Sequence, residues 1–114
     1  MTDPTGTTLS EYQNAVMRTF AAQGNRQHEL AILGLGLAGE TGEFVDMLKK
    51  VLGHGHEFDL PKLKEEAGDI LWYLAALLDL LGISLEQAAV ENIAKLRARY
   101  PDGFSEEASR NRIA

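Results

Sequence analysis

Apolar residues recur every three to four positions along most of this chain, and the strong helix breakers fall between those runs. That periodicity leaves few folds open. The segment before residue 8 is polar, holds Pro4 and Gly6, and reads as a loose start. Thr8-Leu9-Ser10-Glu11 is a capping-box pattern that opens a first helix, expected to run to about residue 23 before Gly24-Asn25. Leu9, Tyr12, Val16, Met17 and Phe20 share its inner face. A second helix is expected from about Glu29 to Leu52, with Leu33, Leu37, Phe44, Met47, Leu48 and Val51 on one face. The stretch from Gly53 to Asp59 reads as a loop. Pro61 suits the first turn of a third helix to about Leu81, which Gly82 closes. Ser84-Leu85-Glu86-Gln87 opens a fourth helix to about Tyr100, and Pro101-Asp102-Gly103 stops it. Residues 105–114 read as a polar tail, held down through Phe104. No stretch alternates as a strand does. The expected fold is all-α, a small four-helix bundle forming one domain over residues 1–114 with its core at about 8–104.

Composition narrows the partners. With 11 Lys+Arg against 17 Asp+Glu, the net charge of −6 disfavours a nucleic-acid polymer or an anionic membrane, both of which attract basic surfaces. The absence of cysteine excludes disulfides and thiolate metal sites. The N-terminus lacks the basic and apolar regions of a signal peptide, and no apolar run is long enough to span a bilayer, so the expected setting is the cytoplasm.

Against this plan, four carboxylates stand in the wrong place for solubility. Glu40 projects into the middle of the apolar stripe of the second helix, and Glu43 borders Met47 on the same side. Glu66 and Asp69 likewise leave the polar stripe of the third helix (Lys64, Glu65, Gly68, Asp79) and lie beside Ile70, Tyr73, Ala76 and Leu80. Each helix thus carries an acidic pair at i, i+3, one carboxylate above the other. If the helices pack antiparallel through these faces, four carboxylates converge in a half-buried cleft, where they repel one another unless cations compensate them. An all-oxygen anionic set without His or Cys suits Mg²⁺ or Mn²⁺. A di-iron bundle would use Glu-x-x-His pairs instead, and neither pair has one. The plain alternative is pairing with lysines such as Lys49, Lys50, Lys62 and Lys64 in a non-enzymatic helical dimerisation module.

The fourth helix adds donors. Asn92 falls inside its apolar stripe, with Lys95 and Arg99 on one flank, a ladder at i, i+3 and i+7 that suits phosphate oxygens. Gly34, Gly36, Gly39 and Gly42 on the second helix each disfavour helix by about 1 kcal/mol relative to alanine, which points to close helix packing or close approach of a ligand. Trp72 and Ala75 lie away from the Leu63-Ile70-Leu74-Leu77 stripe, so the third helix is apolar on more than one side and predicts a homo-oligomer. Packing accounts for Trp72 and Tyr73 better than stacking on a base does. His54 and His56 read as polar loop residues, two of them being too few for a metal site.

Glu40-Thr-Gly-Glu43 and, after residues 44–65, Glu66-Ala-Gly-Asp69 resemble the Glu-x-x-Glu … Glu-x-x-Asp signature of the MazG-like all-α NTP pyrophosphohydrolases. LGLAGETGEFVDMLKKVLGHGH, LKEEAGDILWYLAALL and ENIAKLRARYPDGF are also similar to that family, over about residues 30–105. The resemblance implies Mg²⁺-dependent cleavage of a (deoxy)nucleoside triphosphate between the α- and β-phosphates, giving a monophosphate and pyrophosphate. It implies metal ligands at Glu40, Glu43, Glu66 and Asp69 and phosphate contacts from Asn92, Lys95 and Arg99. Glu43 would serve as general base, and Lys95 and Arg99 would stabilise the leaving pyrophosphate. Many relatives carry an acid where this chain has Gly39, so any role of that acid is absent here. A homodimer or homotetramer is also implied, with nucleotide sites near subunit interfaces. Another Mg²⁺-dependent phosphohydrolase, releasing orthophosphate, is the remaining alternative.

Overall fold

Four long helices form where the periodicity places them, and a short fifth follows. The computed structural model describes residues 6–111. In order they are α1 (Leu9–Thr19), α2 (Arg26–His54), α3 (Leu60–Leu80), α4 (Leu85–Arg99) and α5 (Glu106–Arg110). Among the described residues there is no strand. The N-caps are the residues the sequence offers: Thr8 Oγ1 accepts from the Glu11 N–H at 3.1 Å, and Ser84 Oγ accepts from the Gln87 N–H at 3.1 Å. Asn25 and Asp59 cap α2 and α3 in the same way. Gly82, at φ 72°, ends α3: its N–H donates to Asp79 O and the Ile83 N–H donates to Leu78 O, the paired bonds of a Schellman motif.

Three helix boundaries and the tail differ from the sequence expectation, one being the end of α2, which runs on through Gly53 to His54 until Gly55 closes it at φ 71°. α1 stops at Thr19, not near residue 23, because Phe20 turns inward against Trp72 and the Thr19 hydroxyl accepts from Trp72 Nε1 at 2.8 Å. The Gln23 N–H then donates to the buried Glu29 carboxylate at 2.6 Å, and α2 starts early, at Arg26. Local propensity at Ala21 and Ala22 favours helix, and these side-chain bonds override it. The tail is not structureless. Ser105 caps α5, and Phe104, 74% exposed, lies against the Tyr100 ring instead of being held in the core.

α2 and α3 pack as an antiparallel pair. Gly36 meets Tyr73, Glu40 meets Glu66, and Met47 and Val51 share a cavity wall with Leu63, so residue numbers rise on one helix as they fall on the other. A methyl group at Gly36 would overlap the Tyr73 ring, which explains that glycine; nothing approaches Gly34, Gly39 or Gly42. α1 covers the other flank of α3. Val16, Leu33, Ala75, Ala76 and Leu85 make the fully buried core, with Tyr12, Met17, Phe20 and Trp72 packed around it. Trp72, off the main stripe of α3, faces α1 within the chain. α4 leaves α3 at 101°, and its distal half projects, with Ile93 and Leu96 exposed. No single helix among the described residues is long and apolar enough to cross a membrane.

One buried polar residue ties three elements together. Gln13 Nε2 donates to Ala75 O and Ile83 O, both at 3.1 Å, and its Oε1 accepts from the Leu85 N–H at 3.0 Å. It thereby fixes α1, the α3–α4 turn and the first residue of α4. Replacing Gln13 by Leu would strand the Leu85 donor, which has no other partner at the start of α4. The expected cost is about 2 kcal/mol of stability, read as a lower urea midpoint at unchanged m-value.

Candidate metal centre

The antiparallel register of α2 and α3 brings the two acidic pairs to one level. One carboxylate oxygen from each of Glu40, Glu43 and Glu66 lies within 4.8 Å of the others. Asp69, one turn beyond Glu66, is close enough to act electrostatically on Glu40, and with Glu40, Trp72 and Tyr73 it lines an open cleft of about 320 Å³. Glu66 is buried at 6% exposure, Glu40 and Asp69 are half-buried, and Glu43 is exposed. Trp72 and Tyr73 meet edge to face at 5.0 Å between centroids and form the aromatic wall of the cleft, with Trp72 anchored through Thr19.

Crowded like charges set the electrostatics. The neighbouring Glu66 carboxylate, partial burial, and the charges of Glu43 and Asp69 push the Glu40 carboxyl up to about 7. The adjoining Glu40 carboxyl, kept protonated more readily, and the Lys62 ammonium together hold the Glu66 carboxyl below its ordinary value. Lys62 Nζ is 3.3 Å from Glu66 Oε1, and these carboxylates hold the lysine above its ordinary value. Sequence reasoning named Lys62 only as a partner for acids in general. Its i, i+4 spacing to Glu66 was the available signal.

The donor chemistry fits a hard divalent ion. Glu40 Oε2 and Glu66 Oε2 are buried and have no hydrogen-bond partner, a costly arrangement for carboxylate oxygens that a cation would relieve. Among the described residues Glu40, Glu43 and Asp69 make no ion pair with a lysine or arginine; the Asp46–Lys50 pair at 3.1 Å lies a turn beyond Glu43.

The proposed phosphate contacts are not joined to this cluster. Asn92 and Lys95 are exposed on the projecting half of α4, and Arg99 is half-buried with its Nε buried and unpartnered. No hydrogen bond or ion pair among the described residues links them to the carboxylates, because α4 turns away from α3. His54 ends α2 and His56 follows it, both exposed, and neither belongs to an acidic or metal-like cluster among the described residues.

The raised Glu40 value fixes the sign of two pH effects. Between about pH 4.5 and 7 the folded, metal-free chain keeps a proton on Glu40 that the unfolded chain gives up, so raising the pH across that window lowers this group's contribution to stability. A divalent ion needs the ionised form, so its binding expels this proton below pH 7 and weakens on acidification. Calorimetric Mg²⁺ titrations in buffers of different ionisation enthalpy are expected to show about one proton released per site at pH 6 and almost none at pH 8.5.

The MazG nucleotide pyrophosphohydrolase domain matches residues 27–104, a span holding all four acidic residues as well as Asn92, Lys95 and Arg99. The chain is 32% identical over 87 residues to the Gene 37 protein of Mycobacterium phage L5, covering 73% of this chain and 76% of that protein. No solved structure matches. With that match spanning both acidic helices and α4, the chain belongs to the MazG nucleotide pyrophosphohydrolase family.

Proposed function

We propose that this protein hydrolyses (deoxy)nucleoside triphosphates to the monophosphate and pyrophosphate in a Mg²⁺-dependent reaction, Mn²⁺ serving as a substitute, and that its role is nucleotide-pool house-cleaning. One observation carries the reading. Carboxylates from two helices converge with buried, unpartnered oxygens at Glu40 and Glu66, beside a cleft open to a ligand. Family membership supports the pyrophosphohydrolase class. Glu40, Glu43, Glu66 and Asp69 would hold the ion, which when bound neutralises the triphosphate and makes water more acidic. Glu43, the most exposed of the four, accepts the proton of the attacking water. The water oxygen joins the α-phosphorus as the α–β anhydride bond breaks. Lys95 and Arg99 stabilise the departing pyrophosphate, and Asn92 donates to a phosphate oxygen.

Glu43→Gln is expected to lower kcat at least 100-fold without lowering Tm, in an assay of pyrophosphate release with Mg²⁺. Undiminished turnover would remove Glu43 from the chemistry. Orthophosphate as the product would move the protein to a different class of phosphohydrolase. Lack of turnover, with no thermal stabilisation by Mg²⁺, would favour the dimerisation module.

A homodimer or homotetramer is part of the proposal. The Cα radius of gyration is 17.4 Å, against about 13 Å for a compact chain of this length. Leu35 (73% exposed) and Val45 (54%) on α2, and Val90, Ile93 and Leu96 on α4, leave apolar surface that a second copy would cover. Light scattering coupled to size exclusion is expected to give at least twice the chain mass of 12.5 kDa. A monomer at micromolar concentration would refute the assembly.

A further inference from the structure

We propose that Lys62 is the resident counter-cation of the carboxylate cluster, that it competes with the divalent ion for Glu66, and that a triphosphate draws its ammonium away so that metal and substrate load together. The inference rests on the metal-centre reading and adds a coupling to it.

The geometry is asymmetric. Lys62 Nζ lies 3.3 Å from Glu66 Oε1 and 3.9 Å from Glu65 Oε1. Glu66 is buried at 6% exposure, its other oxygen unpartnered, whereas the Lys62 side chain is 47% exposed. The anion is therefore fixed by packing while the cation rides on a flexible stem at the water edge. The root of that stem is rigid, because the Lys62 backbone N–H donates to the N-cap Asp59 Oδ1 at 3.1 Å. Among the described residues no other lysine or arginine lies within ion-pair distance of Glu40, Glu43, Glu66 or Asp69.

Two positive centres on one carboxylate repel each other. An ammonium on Glu66 Oε1 thus weakens binding of a divalent ion at the same group, unless the ammonium finds another anion. A triphosphate bound with the metal supplies that anion, since a lysine ammonium is a mobile point charge well suited to phosphate oxygens. By linkage, whatever the triphosphate adds to metal affinity, the metal adds equally to triphosphate affinity. Lys62 acts here through Glu66, as a positioning residue.

The test is calorimetric titration of the full-length chain with Mg²⁺ alone at low ionic strength, then with Mg²⁺ in the presence of a non-hydrolysable α,β-methylene triphosphate. Lys62→Met and Lys62→Gln both remove the charge, the first keeping the apolar stem, and Lys62→Arg retains it; circular dichroism reports folding of each. Removal of the charge is expected to tighten Mg²⁺ binding in the absence of nucleotide about tenfold. The gain in Mg²⁺ affinity caused by the analogue is expected to shrink in the same variants, and Lys62→Arg is expected to match the parent. Equal or weaker Mg²⁺ binding in folded Lys62→Met and Lys62→Gln would overturn the competition and make Lys62 a mere support for Glu66. Absence of Mg²⁺ binding in the parent and in every variant would overturn the metal centre itself, and this inference with it.

Discussion

The mutual repulsion of the carboxylates on α2 and α3 is the constraint around which the molecule is arranged. Helix packing forces Glu40 and Glu66 together at the centre of the main helix pair, where water is partly excluded. Without a divalent ion the chain has two means of lowering that repulsion, and it uses both: a proton retained on Glu40 and an ammonium drawn onto Glu66. Each leaves one buried oxygen unsatisfied. The cluster is thus only partly compensated within the chain, and the remaining buried oxygens are costly.

Much of this was legible in the sequence because it rests on local rules. Helical periodicity located α1 to α4, and the N-cap half of each capping-box pattern forms at Thr8 and Ser84, while the Gln87 side chain turns to Glu91. The i, i+3 spacing of two acidic pairs, both off the polar stripe, was enough to bring Glu40, Glu43 and Glu66 to one site once the helices ran antiparallel. What the sequence concealed is long-range. The early end of α1 depends on a hydrogen bond to Trp72, 53 residues away. Gln13 shows no unusual local pattern, and its importance lies in three bonds to residues more than 60 positions distant.

Asn92, Lys95 and Arg99 show the same limit from the other side. Their spacing sets Asn92 inside the apolar stripe of α4 with Lys95 and Arg99 on its flank, yet Asn92 and Leu96 are exposed, because periodicity says nothing about where a helix points. The Gly82 turn sends α4 off at 101° to α3, and the donors stay apart from the acids within one chain. The exposed apolar residues on α2 and α4 likewise became visible only once the helices were packed.

Gly36 gives the fold a spacer of zero thickness. The Tyr73 ring fits directly against the backbone there, and that same ring forms a wall of the cleft beside Glu40. The separation of the two rods, and with it the gap across which the acids face each other, is thus gauged by a residue that carries no functional group. A larger residue at this position would push the Tyr73 ring aside and reshape the cleft while leaving every charged side chain in the sequence untouched.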